Sequence, residues 1–137
     1  MLQFLKKMRK VLWVLKEKKI GQLGLAFKGD TDDVRSSVGI AMARQMMEEG
    51  AEIKAYDPKA MDKCRQDYPE IPLVEDAYEA AREVDALVIA TEWSDFTKLN
   101  WMKMKEQMRT PIIFDGRNIL NPDEMSALGF EYYSIGR

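Results

Sequence analysis

Lys28, Arg35 and Arg117 are the side chains of this sequence whose type and placing could do chemistry, and that chemistry is the holding of an anion. Lys28 and Arg35 stand in the run Gly24-Leu-Ala-Phe-Lys-Gly-Asp-Thr-Asp-Asp-Val-Arg-Ser-Ser, whose Ser36 or Ser37 is placed to cap a following helix. Cations beside a helix N-terminus, where unpaired N–H groups and the helix dipole already favour negative charge, make a local anion site. Arg117 stands in Phe114-Asp-Gly-Arg-Asn118, beside a glycine that permits close approach. A plainer reading stays open, in which Asp32 and Asp33 tie up Lys28 and Arg35 as a solvated ion-pair network. The long, charged run lacks the G-x-G-x-x-G spacing that brings amides against a pyrophosphate, so this chain is not expected to build an NAD site alone. Asp57, just ahead of Pro58, reads first as the cap of a turn and second as a ribose-binding acid.

Other chemistries are excluded by what is missing. The chain has no histidine and one cysteine, Cys64, which rules out an internal disulfide and any zinc site built from His and Cys. A formal charge of −2 and a pI near 5.3 give no global attraction to nucleic acid or to an acidic membrane. No apolar run reaches bilayer length, and Met1-Leu-Gln-Phe-Leu-Lys-Lys lacks the apolar core of a secretion signal. The expectation is a soluble, cytoplasmic protein.

The elements that must position these cations follow from periodicity. At 137 residues, 46% of them hydrophobic, the chain suits one domain with a real core. Leu5, Met8, Leu12 and Leu15 recur at three- and four-residue steps among Lys6, Lys7, Arg9 and Lys10, which predicts an amphipathic basic helix in residues 1–18. Its stripe is read as packing on a neighbouring domain or subunit, in preference to a membrane surface. Residues 19–137 then alternate: strands over 20–27, 52–56, 86–91, 112–115 and 130–135, helices over 37–49, 60–66, 75–83, 100–108 and 122–128. Continuous apolar strands imply burial on both faces, and helical connections imply parallel pairing with right-handed crossovers. The fold class is a doubly wound, mainly parallel α/β sheet, a Rossmann-like three-layer sandwich preceded by the amphipathic helix. Pattern alone does not order the strands. Ligands of such sheets bind beyond the carboxyl ends of the strands, where both cationic runs fall.

Taken together, Gly24-Leu-Ala-Phe-Lys28, Thr31-Asp-Asp-Val-Arg35, Tyr56-Asp-Pro58, Thr91-Glu-Trp93, Phe114-Asp-Gly-Arg-Asn118 and Gly129-Phe-Glu-Tyr-Tyr-Ser-Ile-Gly-Arg137 resemble the UDP-glucose 6-dehydrogenase family, within the UDP-glucose/GDP-mannose dehydrogenase superfamily. The motifs fall in family order from residue 19 to the terminus, and Thr91-Glu-Trp93 with the Asp115-Gly-Arg-Asn118 run is more similar to the UDP-glucose branch than to the GDP-mannose branch. The resemblance implies a three-part, homo-oligomeric parent: an NAD-binding domain, a central helical region with the catalytic cysteine, and this UDP-sugar-binding domain, preceded by a linker helix. It implies oxidation of UDP-glucose to UDP-glucuronate with two NAD, through a thiohemiacetal and a thioester on that cysteine. Carried over by position, Phe27, Lys28 and Arg117 would bind the UDP-sugar and Arg35 would reach across the cleft towards NAD. No catalytic residue of the family and no metal ligand falls in this chain, and Cys64 does not match the nucleophile motif.

Three departures from the pattern bear on geometry. Ser36 and Val38 replace a Glu and a Pro, and Gly21 replaces a small apolar residue, which is expected to loosen the first strand. The helix, without its family partner, is expected to self-associate through Leu5, Met8, Leu12 and Leu15. Two readings compete with the nucleotide-sugar domain. A regulatory or interaction module on a flavodoxin-like sheet would not respond to nucleotide; its receiver-domain form is poor, because Phe27-Lys28 stands where an acid pair belongs. An autonomous NAD-binding domain suffers from the missing glycine fingerprint.

Overall fold

The computed structural model describes residues 2–29, 31–35 and 37–134. Five strands, β1 (Lys19–Leu23), β2 (Glu52–Tyr56), β3 (Ala86–Ile89), β4 (Ile112–Asp115) and β5 (Glu131–Ser134), form one parallel sheet in the order β2-β1-β3-β4-β5. The helices are α1 (Leu2–Leu12), α2 (Val38–Glu48), α3 (Met61–Asp67), α4 (Ala77–Ala81), α5 (Ser94–Thr97), α6 (Trp101–Gln107) and α7 (Pro122–Ala127). The doubly wound reading holds. Strand order reverses between β1 and β3, so the loops leaving those two strands flank the crevice that such sheets offer to ligands.

Local chemistry sets most boundaries. Ser37 Oγ accepts from the Ile40 N–H to cap α2 and donates to the Leu25 carbonyl at 2.7 Å, which ties the helix start to the loop after β1. Asp76, Asn100 and Asn121 cap α4, α6 and α7 in the same way, and Pro122 sits in the first turn of α7, where its missing N–H costs nothing. Val38 opens α2 behind the Ser37 cap, so the turn closes without a proline. Burial on both faces is complete in β3 and β4, whereas the edge strand β2 alternates, with Glu52 exposed and Ile53 and Ala55 inside. The β1 run ends earlier than its apolar residues suggest. Gly24 takes φ +110 and its Cα lies against the Thr91 side chain, a turn only glycine makes without strain.

Gly21 does not act as a loose point in β1. A Cβ there would stand 2.1 Å from the Ala80 carbonyl oxygen, so the bare backbone is what lets α4 settle on the strand. The four-residue α5 was outside the expected elements, because so short a turn carries no periodicity of its own.

The N-terminal helix corrects a second expectation. Leu5, Met8, Leu12 and Leu15 are all buried within this chain, together with Phe4, whose ring meets Phe114 edge-on at 6.0 Å. Arg9 fixes the helix from outside with two bonds to the Glu49 carboxylate, of 2.7 and 2.5 Å, and the guanidinium holds that carboxyl below its ordinary range. The stripe therefore has its partner in the sheet and α2 layer of the same chain, and self-association through those four residues loses its physical basis. The helix stops at Leu12, where Trp13 turns to φ 73 and, with Val14, is left exposed. Among the described residues no helix is long and apolar enough to cross a membrane.

Candidate functional site

Two buried aspartates at strand ends build the carboxyl rim. Asp57, one residue past β2, is 1% exposed and uses both carboxylate oxygens. Oδ2 accepts from the Leu25 and Ala26 N–H groups and from the Trp93 indole, and Oδ1 accepts from the Lys59 and Ala60 N–H groups. One side chain thus clamps the loop after β1, the turn into α3 and the loop after β3. Capping is the role the geometry supports; with every direction taken, Asp57 offers nothing to a ribose. Thr91 reinforces the clamp by donating from Oγ1 to the Ala26 carbonyl at 3.1 Å.

Asp115, the last residue of β4, repeats the arrangement. Its Oδ1 accepts from the Arg117 N–H at 3.0 Å, and Oδ2 accepts from the N–H groups of Ile119 and Leu120 and from the Tyr132 hydroxyl at 2.7 Å. The Asp-Gly-Arg-Asn turn is therefore wound around a buried carboxylate, with Asn118 at φ 56. Gly116 lies with its Cα against the Ile89 carbonyl and the Phe4 ring, close quarters that a side chain would disturb.

Between these two frames the loops that carry Lys28 and Arg117 come together. Arg117 pairs through Nη2 with Oε2 of Glu92, from the loop after β3, and the two side chains are only 33% and 38% exposed. A Cβ on Gly29 would lie 2.4 Å from the Glu92 carbonyl oxygen, so the residue after Lys28 also packs on Glu92. The loops carrying Lys28 and Arg117 thus share one rim, at the strand-order reversal, with Glu92 between them. Lys28 is exposed and, among the described residues, has no ionic or hydrogen-bonding partner; Phe27 beside it is 49% exposed, an apolar ring left at the edge of the crevice.

Arg35 is held differently. Its guanidinium takes both oxygens of Asp33, two residues earlier, at 3.0 and 2.9 Å, and its side chain is 86% exposed. That pairing holds the Asp33 carboxyl down at about 2 and raises the arginine. Lys63 of α3 reaches Asp32 at 3.5 Å, and Thr31, Asp32, Asp33, Arg35, Lys63 and Gln66 line an open hollow of about 440 Å³ on the α3 side. The ion-pair network therefore exists for Asp32, Asp33 and Arg35, and Lys28 is outside it. A backbone bond from Phe27 N–H to the Asp33 carbonyl at 2.6 Å closes the loop between the two cations. Ser36, and the Ile135-Gly-Arg137 end of the last motif and last strand, lie outside the described residues.

Cys64 is fully buried on the inner side of α3, and burial pushes its thiol up to about 11, the surroundings of a packing residue. Among the described residues no cluster of His, Cys, Asp or Glu is arranged to hold a metal. Sequence reasoning placed Lys28 and Arg117 on one edge but gave Glu92 and Asp115 no role. The signal for both was present, as carboxylates at strand ends facing cations, yet only the strand order says which loops face each other.

Residues 21–122 match the UDP-binding domain of the UDP-glucose/GDP-mannose dehydrogenase family. The chain is 45% identical over 119 residues to a UDP-glucose 6-dehydrogenase of Rhizobium meliloti, covering 87% of this chain and 27% of that protein. It is 40% identical over 124 residues to a UDP-glucose 6-dehydrogenase of Rickettsia conorii, covering 89% and 29%. The solved UDP-glucose dehydrogenase of the hyperthermophilic archaeon Pyrobaculum islandicum superposes with a TM-score of 0.76 at 31% identity, over 96% of this chain and 28% of that one. The chain thus spans less than a third of the length of the curated relatives it matches.

Proposed function

The chain belongs to the UDP-glucose/GDP-mannose dehydrogenase family, and from that premise we propose that it forms the wall of a cleft that grips the diphosphate of a UDP-sugar. The observation that carries the reading is the meeting of the Lys28 loop and Arg117 over Glu92, at the reversal of strand order. Lys28 supplies an ammonium with no partner among the described residues, Arg117 a guanidinium whose fork suits phosphate oxygens, and Phe27 an exposed ring for the sugar or base. The site's chemistry is binding and orientation: two cations on separate, rigidly framed loops fix the diphosphate, and with it the direction of the sugar.

The rest of the reading concerns a longer parent. In it, an NAD-binding domain and a cysteine-bearing central region complete the cleft, and the C6 alcohol of UDP-glucose is oxidised to the carboxylate of UDP-glucuronate with two NAD. Arg35, whose side chain is 86% exposed beside its own hollow, would reach towards NAD once Asp33 lets go. Residues 1–18 would descend from the central region, and the parent would be a cytoplasmic homo-oligomer. Its interface would use surfaces other than the stripe of α1, which is spent on this domain.

Calorimetric titration tests the reading. UDP and UDP-glucuronate should bind the chain and raise its melting temperature, with NAD alone doing little. Lys28→Ala and Arg117→Ala should each weaken UDP binding by about 1.5–3 kcal/mol, as expected for loss of a charge-assisted hydrogen bond. Unchanged isotherms for both variants would return the chain to the class of interaction modules.

A further inference from the structure

Of the two cations at the rim, one is already occupied. Lys28 has no partner among the described residues, whereas Arg117 is paired to the Glu92 carboxylate. Neither side of that pair is free to wander. The Arg117 backbone is fixed by Asp115. Glu92 lies between two buried anchors: Thr91, bonded to the Ala26 carbonyl, and Trp93, whose indole donates to Asp57. The Glu92 backbone is further pressed against Gly29. An incoming phosphate oxygen would want the same guanidinium fork that the carboxylate holds.

We infer that Glu92 is an internal competitor for the anion seat of Arg117, so that a nucleotide diphosphate binds by displacing a carboxylate the fold itself supplies. The inference rests on the nucleotide-sugar reading above and adds a residue that sets the affinity of that site. Two consequences follow from elementary charge and linkage. Among the described residues the unliganded rim carries one uncompensated cation in place of two, which lowers its attraction for stray monovalent anions that can reach only one seat. A ligand that uses Arg117 binds with an apparent affinity reduced by the fraction of molecules in which the pair is open. Glu92 accordingly determines how much of the intrinsic grip is expressed, and removing its charge should tighten binding rather than weaken it.

The test is a double-mutant cycle read by UDP titration of the whole chain at fixed salt and pH. Glu92→Gln keeps size and hydrogen bonding and should tighten UDP binding about two- to fivefold, the span that a partly exposed ion pair is worth. The gain should vanish when Arg117 is alanine and persist when Lys28 is alanine, since Lys28 is outside the pair. Wild-type binding with an equal or weaker Glu92→Gln would overturn the inference while leaving the nucleotide site standing. A gain that survives Arg117→Ala would also overturn it, since Glu92 would then act as a diffuse repulsive charge. Absence of UDP binding by both wild type and Glu92→Gln would remove the nucleotide reading and this inference with it.

Discussion

Arg35 and Arg117 are both arginines paired to a carboxylate near the carboxyl ends of the strands, and they differ in where that carboxylate comes from. Arg35 takes its partner from its own loop, two residues back, on a side chain 86% exposed. Arg117 takes its partner from the end of a different strand, with both groups about two-thirds covered. The first pair needs no fold and reports only loop conformation. The second exists only once β3 and β4 are side by side, so it reports that the rim has been assembled. A cation whose partner arrives through the tertiary structure says more about a site than one paired by sequence proximity.

The contrast is open to attack at three levels. The largest effect should come from the frame beneath Arg117 and Lys28. Asp57→Ala leaves four backbone N–H groups and an indole without their acceptor, and should lower the unfolding free energy in urea by about 3 kcal/mol or more. Asp33→Ala should lower the urea midpoint far less, since that carboxylate is tied only to its own exposed loop; an equal loss in both would erase the distinction between framed and local carboxylates. Next in size is the ligand response. Arg35→Ala should leave the UDP isotherm of this chain unchanged, and a loss matching that of Arg117→Ala would merge the two hollows into one site. Smallest is the titration of Asp33. By carboxyl-detected NMR its midpoint should lie at about 2 and rise only part of the way towards the ordinary range near 4 in Arg35→Ala, since the backbone N–H of residue 35 still donates to the carboxylate. The sign follows from a folded value below the unfolded one: the contact is fully present above the ordinary range and is lost as pH falls through about 2.

Much of this molecule could be read before any coordinates. The strands at 52–56 and 112–115 fall where apolar runs meet Asp-Pro and Asp-Gly, because those turns are decided by a few adjacent residues. The end of β1 was misjudged because Gly24 turns against Thr91, a residue brought in by another strand. Asp57 was legible as a cap from Pro58, but the indole of Trp93 on the same oxygen was not. Lys28 and Arg117 could be put on one edge by topology rules, whereas Glu92 between them required the order β1-β3-β4. The stripe of α1 was seen correctly as apolar and assigned the wrong partner, since periodicity shows that a face must be covered and is silent on what covers it.

Gly21 sets a limit on how this sheet can be improved. Valine is the natural choice for stiffening a parallel strand, yet at this position any branched side chain would strike the Ala80 carbonyl, which is main chain and has no rotamer to change. Engineering for thermal hardness would therefore have to begin elsewhere, since here the interior is built to the width of a hydrogen atom.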